Sequence, residues 1–106
     1  MDPRFRFAPP DWTPDDALAL ARSEGLELGE DHWETLRALQ EYFARHESKE
    51  IRRRALHDAL EEKFHHKGGM KYLYMLFPRG PVAQGCRLAG LKPPAGSFDP
   101  SYGSVA

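Results

Sequence analysis

A single thiol is all the soft nucleophile this chain has: Cys86, in the stretch GPVAQGCRLAG, the only cysteine among 106 residues. One cysteine excludes an internal disulfide and a multi-cysteine zinc site. Two uses remain. One is packing, since free cysteine is among the most buried residue types. Val82, Ala83 and Ala89 stand about one helical turn away, and their small apolar side chains suit that use. The other use is sulfur chemistry, in which a thiolate takes up sulfane sulfur or exchanges with a disulfide. Arg87 is adjacent in sequence, but consecutive helical residues do not share a face, so its charge gives the thiolate little help. Behind Cys86 runs a glycine- and proline-rich tail that holds serines and no second thiol.

Other side chains offer less. Arg52, Arg53 and Arg54, with Lys71 and Arg79, form a candidate partner surface. Such a set is either a solvated helix face or a surface for phosphates or an acidic protein. No arginine or asparagine pattern marks a base-reading helix, so nucleic acid stays a minority reading. The five histidines, at 32, 46, 57, 65 and 66, include no pair four residues apart and no HExxH, so surface or packing roles are expected and no metal. No phosphate loop, nucleophile elbow or paired-carboxylate site is present, and no cofactor is expected.

The bulk composition frames these candidates. With 41% hydrophobic and 29% charged residues, the chain suits one globular domain. Its net charge of −1 conceals a split. Residues 1–44 carry ten acidic and four basic side chains, whereas residues 45–79 carry nine basic and five acidic ones. Segregated charge can steer an anionic partner, or the two halves can face one another. No apolar run approaches the roughly 20 residues of a membrane span, and the N-terminus lacks a signal peptide's apolar core. Cytoplasmic residence is expected.

Cys86 has to be positioned by helices. Thr13-Pro14-Asp15-Asp16 reads as an N-cap, a first-position proline and two acids at the positive end of the dipole, with Gly25 as the stop. A second helix is expected from Glu30 to about Arg45, with Trp33, Leu36, Leu39, Tyr42 and Phe43 as its core stripe. Ser48 is the expected N-cap of a third helix, Lys49 to Phe64. MKYLYMLF, residues 70–77, reads as a short buried helix stopped by Pro78. Pro81 then opens the helix that carries Cys86, ending near Ala89 with Gly90 as its cap. The opening FRFAPPDW is either a small N-terminal β-hairpin or an arm laid over the core. The expected fold is all-α, about five short helices in an orthogonal bundle, with a domain over residues 1–90 and a flexible arm over 91–106.

KYLYMLFPRGPVAQGCRLAGLKPPAGS resembles the C-terminal region of the DsrC/TusE family of sulfur-relay proteins, one branch of which works with dissimilatory sulfite reductase. The front half, WTPDDALALARSEGLELGEDHWETLRALQEYF, is similar to the same family. The resemblance implies two cysteines, one on the last helix and one on a C-terminal arm. Cys86 matches the first, and Ser97 stands at the arm position. A serine hydroxyl cannot carry sulfane sulfur or form a disulfide, and the further residues FDPSYGSVA follow it. The resemblance thus implies a single-thiol acceptor, carrier or sensor of sulfane sulfur, with sulfur-transfer or sulfite-reductase-type partners and a monomeric or weakly dimeric state. The alternative is a regulatory homologue that binds DNA or protein.

Overall fold

The computed structural model describes residues 4–94. Five α-helices build it, and no strand occurs among the described residues. The first, α1 (Pro14–Ser23), starts where the capping residues place it. The Thr13 N–H donates to Asp16 Oδ2 at 2.9 Å, and Asp15 and Asp16 occupy the first turn, where a helix dipole favours anions. Gly25, with φ of 71°, ends it.

The second helix, α2 (Glu30–Arg45), turns Thr35, Leu36, Leu39 and Gln40 inward. His32 closes its N-terminus: Nδ1 accepts from the Gly29 N–H at 3.0 Å, and Nε2 meets the Leu76 carbonyl at 2.8 Å. An acceptor at Nδ1 and a donor at Nε2 require the neutral Nε2–H tautomer. This histidine joins two helices.

The third helix departs from expectation. Ser48–Glu50 form one 3-10 turn, Arg52 is extended at φ −114° and ψ 145°, and α3 runs only over Arg53–Lys63. The break turns Ile51 inward, where it is 6% exposed among Leu56 and Leu60. Burying an isoleucine stabilises by about 1.5–3 kcal/mol, more than one further solvated helical turn contributes. Then follow α4 (Met70–Leu76), ended by Phe77 and Pro78, and α5 (Pro81–Leu88).

The opening segment is a covering arm and not the hairpin that FRFAPPDW also allowed. Its alternating aromatics serve packing: Phe5 is buried edge-on against Trp12 and Trp33, with centroids 5.1 and 5.6 Å apart. One apolar cluster joins Phe5, Trp12, Ala17, Ala21, Leu36, Phe77, Leu88 and Ala89. A second joins Leu39, Ile51, Leu56, Leu60, Phe64, Leu73, Val82 and Cys86. Helix α5 contributes to both and packs against all four other helices. Ser97 and the rest of the arm beyond residue 94 lie outside the described residues.

Candidate functional site

Cys86 sits on the most enclosed helix of the described chain. Every α5 residue from Pro81 to Cys86 is buried, and Cys86 itself is 0% exposed. Gly85 makes this possible on the α2 side, since a Cβ there would meet Leu39 Cδ1 at 2.8 Å. A side chain at Gly85 would force Leu39 to shift. Burial pushes the Cys86 thiol up to about 12, because the charged thiolate loses its water and gains no cation. At neutral pH the thiolate share is then roughly one part in 10⁵. The sequence left packing and sulfur uptake open for this residue. Here Cys86 is packed, and nucleophilic chemistry requires it to be uncovered first.

Three side chains hold α5 in that position from outside. Trp12 Nε1–H donates to the Leu88 carbonyl at 2.8 Å, and Gln40 Nε2–H to the Ala89 carbonyl at 2.9 Å. These are carbonyls at the end of α5, which have no partner within the helix itself. On the other side Glu24, its side chain 8% exposed, accepts from Gln84 Nε2–H at 2.8 Å and from the Arg87 guanidinium. The Arg79 guanidinium lies 4.0 Å from the same carboxylate. Gln84 Oε1 accepts the Arg79 backbone N–H at 3.2 Å. A nearly buried carboxylate held by two arginines and an amide ties the end of α1 to both turns of α5. Sequence reading missed Glu24, Gln84 and Gln40. Gln84 and Arg87 do share a face at i and i+3, but nothing in the sequence points to their acid 60 residues away.

Arg52, Arg53 and Arg54 are exposed at the start of α3, and Lys71 is exposed on the first turn of α4. Arg79 belongs to the Glu24 cluster instead. Several other cations pair with the acidic front half: Lys63 with Glu34 at 3.0 Å and Lys67 with Asp31 at 2.9 Å. The charge split of the sequence therefore closes on itself in part. Asp31 also accepts the Tyr72 hydroxyl, and this bond, with Lys67 next, holds its carboxyl below the usual range. The same bond raises Tyr72.

Among the histidines, His32 is structural as described, and His46 stacks on Tyr42 with centroids 4.1 Å apart. Burial, with Arg53 nearby, lowers the half-buried His57, while His65 and His66 are exposed. Among the described residues, no three His, Cys, Asp or Glu side chains come together as a metal site. No described helix is long and apolar enough to cross a membrane.

Known proteins share this architecture. The sequence matches the family described as "DsrC like protein" over residues 4–98. It is 39% identical over 84 residues to the sulfurtransferase TusE of Salmonella typhimurium, covering 78% of this chain and 76% of that protein. Against TusE of Escherichia coli the identity is 36% over 84 residues, with the same coverage of 78% and 76%. The solved NMR structure of Allochromatium vinosum DsrC superposes with a TM-score of 0.66 and 43% identity, covering 83% of this chain and 79% of that one.

Proposed function

This chain belongs to the DsrC-like family, and on that premise we propose that it serves sulfur metabolism as a single-thiol acceptor, carrier or sensor of sulfane sulfur. The observation that carries the reading is the place of Cys86: the only thiol in the chain lies on α5, the last described helix of a chain that matches this family. Ser97 at the arm position removes the intramolecular disulfide, so sulfur taken up on Cys86 passes to a thiol of another molecule. Sulfur-transfer proteins are the fitting partners. A reducing cytoplasm is the fitting compartment, since a lone thiol stays reduced there.

The chemistry is a transfer without net oxidation. Cys86 loses its proton, and the thiolate attacks the outer sulfur of a donor persulfide. The donor's S–S bond breaks, a new S–S bond forms on Cys86, and the donor leaves as a thiolate that takes up a proton. In the closed conformation the thiol is protonated and covered. Loading therefore follows an opening of α5, and a donor protein that binds the open form best would drive it. This makes Cys86 a guarded acceptor.

The burial of Cys86 favours one other reading, a regulatory homologue that docks through the fold, with Arg52, Arg53 and Arg54 as its exposed charge. One experiment separates the two. Reduced protein and a Cys86→Ala variant are incubated with a persulfide donor, with and without a sub-denaturing concentration of urea, and weighed intact. The acceptor reading expects one added sulfur on the native protein alone, formed faster in urea. No addition under conditions that load a two-cysteine relative refutes it and leaves the docking reading.

A further inference from the structure

The two sides of α5 are held unequally. Toward the N-terminal segment, α1 and α2, it is gripped by Trp12, Gln40 and Glu24, through bonds largely shut off from water. Toward α3 and α4 the wall is one continuous stretch of chain. The apolar cluster that holds Cys86 takes Ile51, Leu56, Leu60, Phe64 and Leu73 from that stretch, against Leu39 of α2 and Val82 of α5. From this inequality we infer that residues 52–77, the α3–α4 pair, form a lid over Cys86 that swings off α5 as a unit. The inference rests on the sulfur reading for its purpose, and it specifies which part of the fold moves.

Three observations carry it. The first is that the pair holds itself together. Helices α3 and α4 pack on one another, with the ring centroids of Phe64 and Tyr72 6.0 Å apart, so a swing as one body keeps these contacts.

The second is a joint at each end. Arg52 is extended between a 3-10 turn and α3. At the far end Pro78, Arg79 and Gly80 separate α4 from α5, and Gly80 has φ of 104°. Short segments at the ends of elements are where hinge motions concentrate.

The third is the seam that fastens the pair to α2. Lys63 meets Glu34 at 3.0 Å, Lys67 meets Asp31 at 2.9 Å, and the Tyr72 hydroxyl donates to Asp31. The two lysine side chains are 38% and 44% exposed, whereas Glu24 and Arg87 on the other side of α5 are 8% and 15% exposed. Ion pairs open to water contribute little and weaken with salt. The bond from His32 to the Leu76 carbonyl closes the same seam beside the second joint. Local opening follows the boundary that gives up least, and here that boundary is the one sealed by solvated pairs. The apolar face that the lid turns toward α5 keeps the closed state dominant.

Alkylation of Cys86 by iodoacetamide, followed by intact mass, tests the lid without any sulfur donor. A substitution speeds alkylation when it weakens contacts that the exposing motion breaks. Tyr72→Phe combined with Lys67→Met removes both side-chain ties to Asp31 and should speed alkylation about tenfold, with the fold verified by far-UV circular dichroism. Glu24→Gln and Trp12→Phe weaken the opposite side, which the swing leaves intact. They should change the rate less than about twofold, even where urea unfolding shows lost stability. An unchanged rate in the double variant overturns the proposal, as does acceleration by Glu24→Gln and Trp12→Phe in step with their lost stability. Lid-dependent alkylation in a protein that takes up no sulfur would keep the lid and remove the sulfur reading. Sulfur loading with alkylation indifferent to the double variant would do the reverse.

Discussion

Replacing Gly90 by alanine should cost this small protein a large part of its stability. Gly90 stands two residues past the end of α5 with φ of 79°. An L-residue there costs about 1–2 kcal/mol in backbone strain. A Cβ would also lie 2.6 Å from Trp12 Cδ1, 3.0 Å from Cγ and 3.1 Å from Cβ. The indole cannot step aside, because it is buried among Phe5 and Leu88 and its Nε1–H is bonded to the Leu88 carbonyl. Overpacking against a pinned ring adds about 1–3 kcal/mol. Alanine restricts the unfolded chain and returns about 0.4–1 kcal/mol. The net loss is about 1–4.5 kcal/mol, set against a total of about 5–15 kcal/mol for a typical domain. Urea unfolding followed by tryptophan fluorescence would measure it. A loss below about 1 kcal/mol refutes the reasoning. A double-mutant cycle sharpens the test, since with Trp12→Leu the steric share disappears and about 1 kcal/mol of backbone strain remains. Equal losses in both backgrounds would show that the indole contact does not matter.

Two further outcomes follow from ionisation. The Cys86 thiol is raised from 9.0 to about 12 by burial, so the folded state holds a proton that the unfolded state releases above about pH 9. Its contribution is fully present below that pH and is lost as pH rises toward 12, at up to about 1.4 kcal/mol per unit. Stability should therefore fall more steeply between about pH 9 and 11 in the native protein than in Cys86→Ala, and parallel curves would contradict the burial argument. Asp31 behaves in the opposite sense: its folded carboxyl is depressed, first by the Tyr72 hydroxyl, so its contribution is present above 3.8 and lost as pH falls through the lower folded value. In Tyr72→Phe the Asp31 carboxyl should titrate higher by NMR, and an unchanged titration would mean that Lys67 alone sets it.

The helices themselves were legible locally. The start at Pro14, the stop at Gly25 and the proline-led helix of Cys86 are decided by capping and backbone constraints within a few residues. Where local rules and burial disagreed, local reading failed: Ser48 and Lys49 suggest a helix start, yet the helix begins at Arg53 because Ile51 is drawn into the core. The N-terminal aromatics were ambiguous for the same reason. Alternation in FRF fits a strand, and only the pockets left by Trp12 and Trp33 make Phe5 part of an arm.

The sequence alone determined that one thiol exists, and its family resemblance set the expectation that this thiol lies on the last helix and that Ser97 stands at the arm position. Residue type settles the first point, because no arrangement of the chain turns a hydroxyl into a sulfur carrier. Only the tertiary structure decided that the thiol is closed off. Reactivity depends on solvent, charge and access at the sulfur atom, and here it is set by the apolar cluster that buries Cys86, with Leu39, Ile51, Leu56, Leu60, Phe64 and Leu73 brought in from distant parts of the chain. A cysteine's identity is written at one position, while its pKa is the sum of everything packed around it.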